Sequence, residues 1–195
     1  MIGHGFVGLL QSASYVRPPL RTTGAGPGSV TDTAAGYALS GFADTCFAWL
    51  DAPKVDGKWY WEVTFLASYL LAGIADDVTT AVSFGGYSSA NAGIYSSGPS
   101  PWVDTGWTGR STGAGWTGAA MAVNDVLGFA LDLDSGTKTL KVYQNNSLAL
   151  TISWTSGPTF LWPMIGFQSG FGPSCQINLG PAGCVYAPPA GYAHL

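Results

Sequence analysis

Apolar and polar residues alternate with a period of two over much of the chain. In Gly57–Phe65 (GKWYWEVTF) Trp59, Trp61, Val63 and Phe65 fall on one face and Tyr60, Glu62 and Thr64 on the other, as in a half-buried strand. The same phase recurs in 124–134 (NDVLGFALDLD), where Leu127, Phe129, Leu131 and Leu133 point inward. Ser135-Gly136 then turns the chain into 137–145 (TKTLKVYQN), in which Leu140 and Val142 alternate with Thr139, Lys141 and Tyr143, a pattern that predicts a β-hairpin. A second turn at 144–147 (QNNS) precedes a strand in 148–154 (LALTISW), and 158–167 and 174–180 supply two more short strands. Strands at about ten-residue spacing, punctuated by Gly, Pro and Asn, predict an all-β fold: an antiparallel two-sheet sandwich.

Composition adds weight to this reading. With 28 Gly and 12 Pro in 195 residues, long amphipathic helices are disfavoured. The 8 Trp, 9 Tyr and 9 Phe nevertheless supply enough burial for a folded core. Length fits one domain. Residues 1–31 hold Arg17 and Arg21 and no acidic residue, whereas the remainder carries 5 basic against 11 acidic groups. Residues 1–30 are therefore expected to form a Pro/Gly-rich arm on a domain spanning 31–195, with Arg17 and Arg21 as candidates for docking onto a larger particle. The net charge of −4 and the lack of a basic cluster exclude sequence-independent nucleic-acid binding. No apolar run is long and unbroken enough for membrane insertion, and the opening MIGHGFVGLL lacks the basic start of a secretory leader.

Several motifs then follow one another in a recognisable order. Gly57–Val63 is a Gly-Lys-aromatic-Tyr-Trp-Glu strand, Asp125-Val126-Leu127-Gly128 opens another, and Asp132, Asp134 and Gly136 form an Asp-x-Asp-x-Gly hairpin. Trp162-Pro163 and Asn178-Leu179-Gly180 come next, and 186–192 (YAPPAGY) closes the series. In this order the chain, over roughly residues 30–195, resembles the SPRY domain, particularly the versions found in bacteriophages. Asn124 stands where the family has Gly, and Asn145-Asn146 where it has Asn-Gly; Asn also tolerates positive φ. The resemblance implies a bent, concanavalin-like sandwich that binds through its loops and brings no catalytic set.

Candidate chemistry is sparse. The two histidines, His4 and His194, lie near the ends, and Glu62 is the single glutamate. Cys46, Cys175 and Cys184 are too few for a disulfide framework and read as small buried apolar groups. Asp132 and Asp134 lack the downstream glutamate of a calcium loop, and Asp76 and Asp77 are adjacent and point apart. No catalytic residue, metal or cofactor is expected.

The segment 96–118 stands out. Gly-Trp-Thr-Gly occurs at 106–109 and again at 115–118, with Trp102 just before and Arg110 between. Tryptophans held by glycines have little local support, so they pack onto their own domain, a second subunit or a ligand. Tyr95, Trp102, Trp107, Arg110 and Trp116 are the candidate binding residues. From Val142 to Leu195 no Lys, Arg, Asp or Glu occurs, which favours burial in an assembly over a free surface.

These features point to a non-enzymatic bacteriophage virion protein, made in the host cytoplasm and built into the virion as a capsid decoration or small tail or fibre subunit. Its partners would be other virion proteins and further copies of itself. The alternative is an adhesin that recognises a host-surface glycan or protein through loop 96–118. A cytoplasmic SPRY adaptor ranks below both. A concanavalin-like hydrolase ranks last, since the carboxylates it needs are missing.

Overall fold

The computed structural model describes residues 15–23, 28–41, 47–67, 70–75, 91–95, 102–105, 109–112, 115–155, 160–167 and 174–195. Among these, two antiparallel sheets face each other. One has seven strands in the order β1 (Leu20–Thr23), β4 (Phe47–Leu50), β13 (Trp162–Phe167), β6 (Leu70–Ala75), β7 (Asn91–Tyr95), β8 (Trp102–Thr105) and β9 (Gly109–Thr112). The other runs β12 (Ser147–Trp154), β11 (Lys138–Gln144), β10 (Val126–Asp132), β5 (Lys58–Phe65), β14 (Ser174–Asn178), β3 (Gly36–Ser40) and β2 (Ser29–Thr33), with β15 (Ala193–His194) as an eighth strand beside β5. The expected all-β sandwich is the fold observed.

The predicted phase of β5 and β10 holds. Trp61 and Phe129 are directly paired, their rings stacked at 5.3 Å with planes 11° apart, and both are buried between the sheets. Leu127, Leu131, Leu140 and Val142 join the same core. Asn145 and Asn146 take φ of 47° and 69° and Asn124 takes 72°, left-handed values that asparagine tolerates in tight turns. Asp132 caps the other hairpin turn. Its carboxylate accepts the backbone N–H groups of Asp134 and Ser135 and the Ser135 hydroxyl, and pairs with Lys58 at 2.8 Å.

Two expectations need correction. Strand β5 is buried on both faces from Tyr60 to Val63, not half-buried, because residues 179–195 cross its outer face. Strand β14 covers β5 only from Glu62 to Phe65, and β15 fills the remaining place by pairing in parallel with Trp59 and Tyr60. The arm boundary at residue 30 also falls inside a strand. The described part of 1–30 is built into the sandwich: β1 is the edge of the seven-stranded sheet and β2 the edge of the other. Polar groups anchor it there. Arg17 donates to the carbonyls of Thr33 (2.6 Å) and Gly36 (2.7 Å) and lies 4.8 Å over the Tyr37 ring, while the Tyr15 hydroxyl donates to the Leu195 carbonyl at 2.6 Å. Removing residues 1–30 would therefore take all of β1 and the first two residues of β2 with it.

Candidate functional site

The seven-stranded sheet assembles residues that are scattered in sequence. Cα pairing runs in one line across all its strands: Arg21, Trp49, Met164, Gly73, Gly93, Asp104 and Arg110. The flanking residues Ala48, Leu50, Ile165, Ala72, Ile74 and Ile94 belong to the inter-sheet core, so this line lies on the outer face. Two residues further along each strand, the same face carries Leu71, Tyr95 and Trp102, with Tyr95 directly opposite Trp102. Three of the five residues singled out in the sequence thus share one face of the ribbon β7–β8–β9, and Arg21 sits at the far edge of the same face.

That face is apolar at its centre. Leu71, Ala75 and Met164 are buried there yet stand outside the inter-sheet core, forming a second apolar layer. Trp49 and Trp162 flank it, both half-buried, and Phe160, 53% exposed, stacks on Trp162 at 6.3 Å. At the edge Arg21 pairs with Asp51 at 2.9 Å, both groups largely in water. Sequence reading missed Trp49 and Phe160. Register across strands brings Trp49 here and stacking on Trp162 brings Phe160, and no local motif carries that information.

The other described candidates lie elsewhere. Trp116 lies beside the other sheet: it is half-buried, packs against the core, and its indole N–H donates to the Ala119 carbonyl at 3.2 Å. Trp107 is outside the described residues, as are Cys46, Asp76, Asp77 and His4. The segment 96–118, expected as a loop, contains strands β8 and β9. Arg17 is committed to Thr33, Gly36 and Asp32, which makes Arg21 the more open of the two candidate docking residues.

A buried polar cluster lies under the C-terminal segment. The Glu62 carboxylate, fully buried, accepts from the Tyr60 hydroxyl (2.9 Å) and from the backbone N–H groups of Val185 (2.6 Å) and Tyr186 (2.9 Å). Burial, together with this carboxylate, pushes the Tyr60 hydroxyl pKa well up. A Cβ at Gly128 would meet the Tyr60 ring at 3.0 Å, so only glycine leaves room for this arrangement. Burial also pushes the thiols of Cys175 and Cys184 up to about 12, and a protonated thiol is a poor nucleophile. Among the described residues no three His, Cys, Asp or Glu side chains are grouped to hold a metal, and no helix is long and apolar enough to cross a membrane.

His194 completes the cluster. Its ring meets Tyr60 edge-on at 6.3 Å, and its Nδ1 is buried without a hydrogen-bond partner. Burial lowers its pKa, against a weaker upward pull from Glu62. The unfolded chain, with an ordinary imidazole pKa of about 6.5, then takes up the proton first, so stability is full above that pH and declines as pH falls below it. The expected result is a melting temperature that drops as pH is lowered from 7 to 5 in the native protein and is flatter in His194→Phe. Coincident profiles would assign the loss to another group.

No family model matches the chain, and no curated protein matches it. Solved structures do. The SPRY domain of human HERC1 aligns with a TM-score of 0.57 at 14% identity, over 72% of this chain and 87% of that one. A human SPRY domain gives 0.54 at 12%, over 78% and 96%. The carbohydrate-binding module CBM66 from Bacillus subtilis gives 0.51 at 11%, over 83% and 93%. At such identities the likeness is one of architecture, and by architecture this chain is a SPRY-like β-sandwich.

Proposed function

We propose that the chain is a non-enzymatic binding module whose recognition surface is the outer face of the ribbon β7–β8–β9 and the aromatic residues beside it. The observation that carries this is the register, which sets Tyr95 opposite Trp102 and Asp104 opposite Arg110 on the face that also holds Trp49 and Trp162. Aromatic rings and Arg are the residues that most often dominate binding energy. Rings also stack on sugars, and a planar guanidinium offers forked donors beside them. The ligand class is a host-surface glycan or protein, and the likeness to a module named for carbohydrate binding supports the first of these.

The test is the double change Trp102→Ala with Arg110→Ala, read by thermal melting and by adsorption to glycan arrays and host cells. An unchanged melt with lost binding is expected. Full binding by the variant would place recognition elsewhere. Trp116→Ala serves as contrast: it is expected to lower the melting temperature, because that ring packs on the core.

A second reading concerns where the module works. The stretch from Val142 to Leu195 carries no charge, and within it Leu148, Phe160 and Val185 are 51%, 53% and 60% exposed. Apolar exposure on so neutral a surface favours an assembled state. We read this as a bacteriophage virion component, a capsid decoration or small tail or fibre subunit, with Arg21 at an open edge as its docking residue. Mass spectrometry of purified particles decides it: hundreds of copies mean decoration, a few mean a tail position, and none overturns the reading.

A further inference from the structure

Residues 15–19 (YVRPP) belong to no strand, yet polar contacts hold them along their length. The Pro19 carbonyl accepts the Asp51 N–H at 2.8 Å, and the Pro18 carbonyl accepts the Tyr37 hydroxyl at 2.9 Å. Arg17 grips the β2–β3 turn through the Thr33 and Gly36 carbonyls. Two adjacent prolines each fix φ at about −65°, so the strap is stiff between Arg17 and β1. Its first residue reaches a different part of the chain. The Tyr15 ring lies against Gly180, where φ is 70° and a Cβ would come within 2.5 Å of the ring, and the Tyr15 hydroxyl donates to the Leu195 carbonyl at 2.6 Å.

Three layers meet at Leu195. Its side chain joins the core, its N–H donates to the Tyr60 carbonyl of β5 at 2.8 Å, and its carbonyl accepts the Gly180 N–H at 3.1 Å as well as Tyr15. At the head of the same segment the Leu179 N–H donates to the Ala35 carbonyl at 2.8 Å, in the turn that Arg17 grips. The strap thus bears on both ends of 179–195, while Glu62 holds the middle from below through Val185 and Tyr186. Between those ends the segment has little apolar anchorage: from Pro181 to His194 no residue is buried.

We propose that residues 15–19 are a latch on the segment 179–195, and that displacing the strap from Gly180 and Leu195 lets this segment lift from β5 as a unit, uncovering Tyr60, Glu62 and the Cys184 thiol. Units that open below the global unfolding barrier are those with few buried apolar contacts, which describes this segment and not the strand beneath it. The latch involves the C-terminal segment and the β2–β3 turn, so it is separate from the recognition face on the seven-stranded sheet.

Native-state hydrogen exchange on the full chain tests it. In the native protein the amides of Val185, Tyr186 and Leu195 are expected to exchange together and faster than those of Leu127 and Phe129 in β10. Tyr15→Phe keeps the ring and removes the hydroxyl, and should speed all three by about two- to tenfold, the range set by one lost hydrogen bond. Arg17→Gln should speed them as well, although its hydrogen bonds go to Asp32, Thr33 and Gly36. Arg21→Gln, which breaks only the exposed pair with Asp51 on β1, should leave them unchanged. Alkylation of Cys184 by iodoacetamide, located by peptide mapping, should rise by the same factor as the amide rates in Tyr15→Phe, with the buried Cys175 as the slow reference. Two results would overturn the latch: Val185 and Tyr186 exchange indifferent to Tyr15→Phe, or all three amides exchanging no faster than Leu127 and Phe129, which would mean that the segment never opens by itself.

Discussion

Glu62→Ala is expected to destabilise the protein by about 3 kcal/mol, since one buried hydroxyl and two part-buried N–H groups would each lose their acceptor, at about 1–3 kcal/mol for the buried one and less for the others. Those donors are the Tyr60 hydroxyl and the N–H groups of Val185 and Tyr186, so the damage concentrates on the segment that crosses β5. Denaturant melts measure the total. Hydrogen exchange at Val185 and Tyr186 tests the location, and both amides should exchange faster than those of the core strands. Glu62→Gln should be intermediate: it keeps one acceptor oxygen but turns an NH₂ group toward a donor. A loss below about 1 kcal/mol in the Ala variant would mean that the segment is held by other contacts.

Trp61→Ala and Phe129→Ala are each expected to cost about 3–5 kcal/mol. Each ring is removed from a fully enclosed site where collapse is resisted by strands on both sides. Because the rings stack, the double variant should cost less than the two singles added, with a coupling of about 0.5–1.5 kcal/mol. Strictly additive losses would mean that the rings do not interact, and a single loss under about 1 kcal/mol would contradict their burial.

Period-two alternation and turn residues are local signals, and what they encode was readable: the inward phase of Trp61 and Phe129, and the turns at Asn145-Asn146 and Ser135-Gly136. Whatever depends on a partner far along the chain was hidden. Tyr60, Glu62 and Thr64 have the pattern of a solvent face, and nothing near them announces that Val185 and Tyr186 will cover it. A single glutamate between aromatic residues was the one available clue, since a carboxylate in such a run needs donors. The candidate site divides in the same way. Aromatic and Arg residues in a Gly-rich stretch drew attention to Tyr95, Trp102 and Arg110, but Trp49 joins their neighbourhood only through strand order and Phe160 only through its contact with Trp162. Identical tetrapeptides made Trp107 and Trp116 look equivalent; Trp116 packs on the core beside the eight-stranded sheet, and Trp107 lies outside the described residues. Arg17 read as a free charge on an arm because its acceptors are main-chain carbonyls, which sequence does not mark.

The position of β5 bears on how the chain reaches this state. All the strands paired with it, β10, β14 and β15, come later in the sequence, the last by pairing Trp59 with Ala193. During synthesis this aromatic strand emerges well before any of its neighbours and waits through the making of most of the chain. Closing such large loops lowers chain entropy before native contacts reward it, which places folding in the slow regime of about milliseconds to seconds typical of sandwiches. An unpaired WYWEVTF ribbon is meanwhile open to wrong pairings. Yield on expression should therefore respond more to temperature and chaperone supply than the stability of the finished domain would suggest.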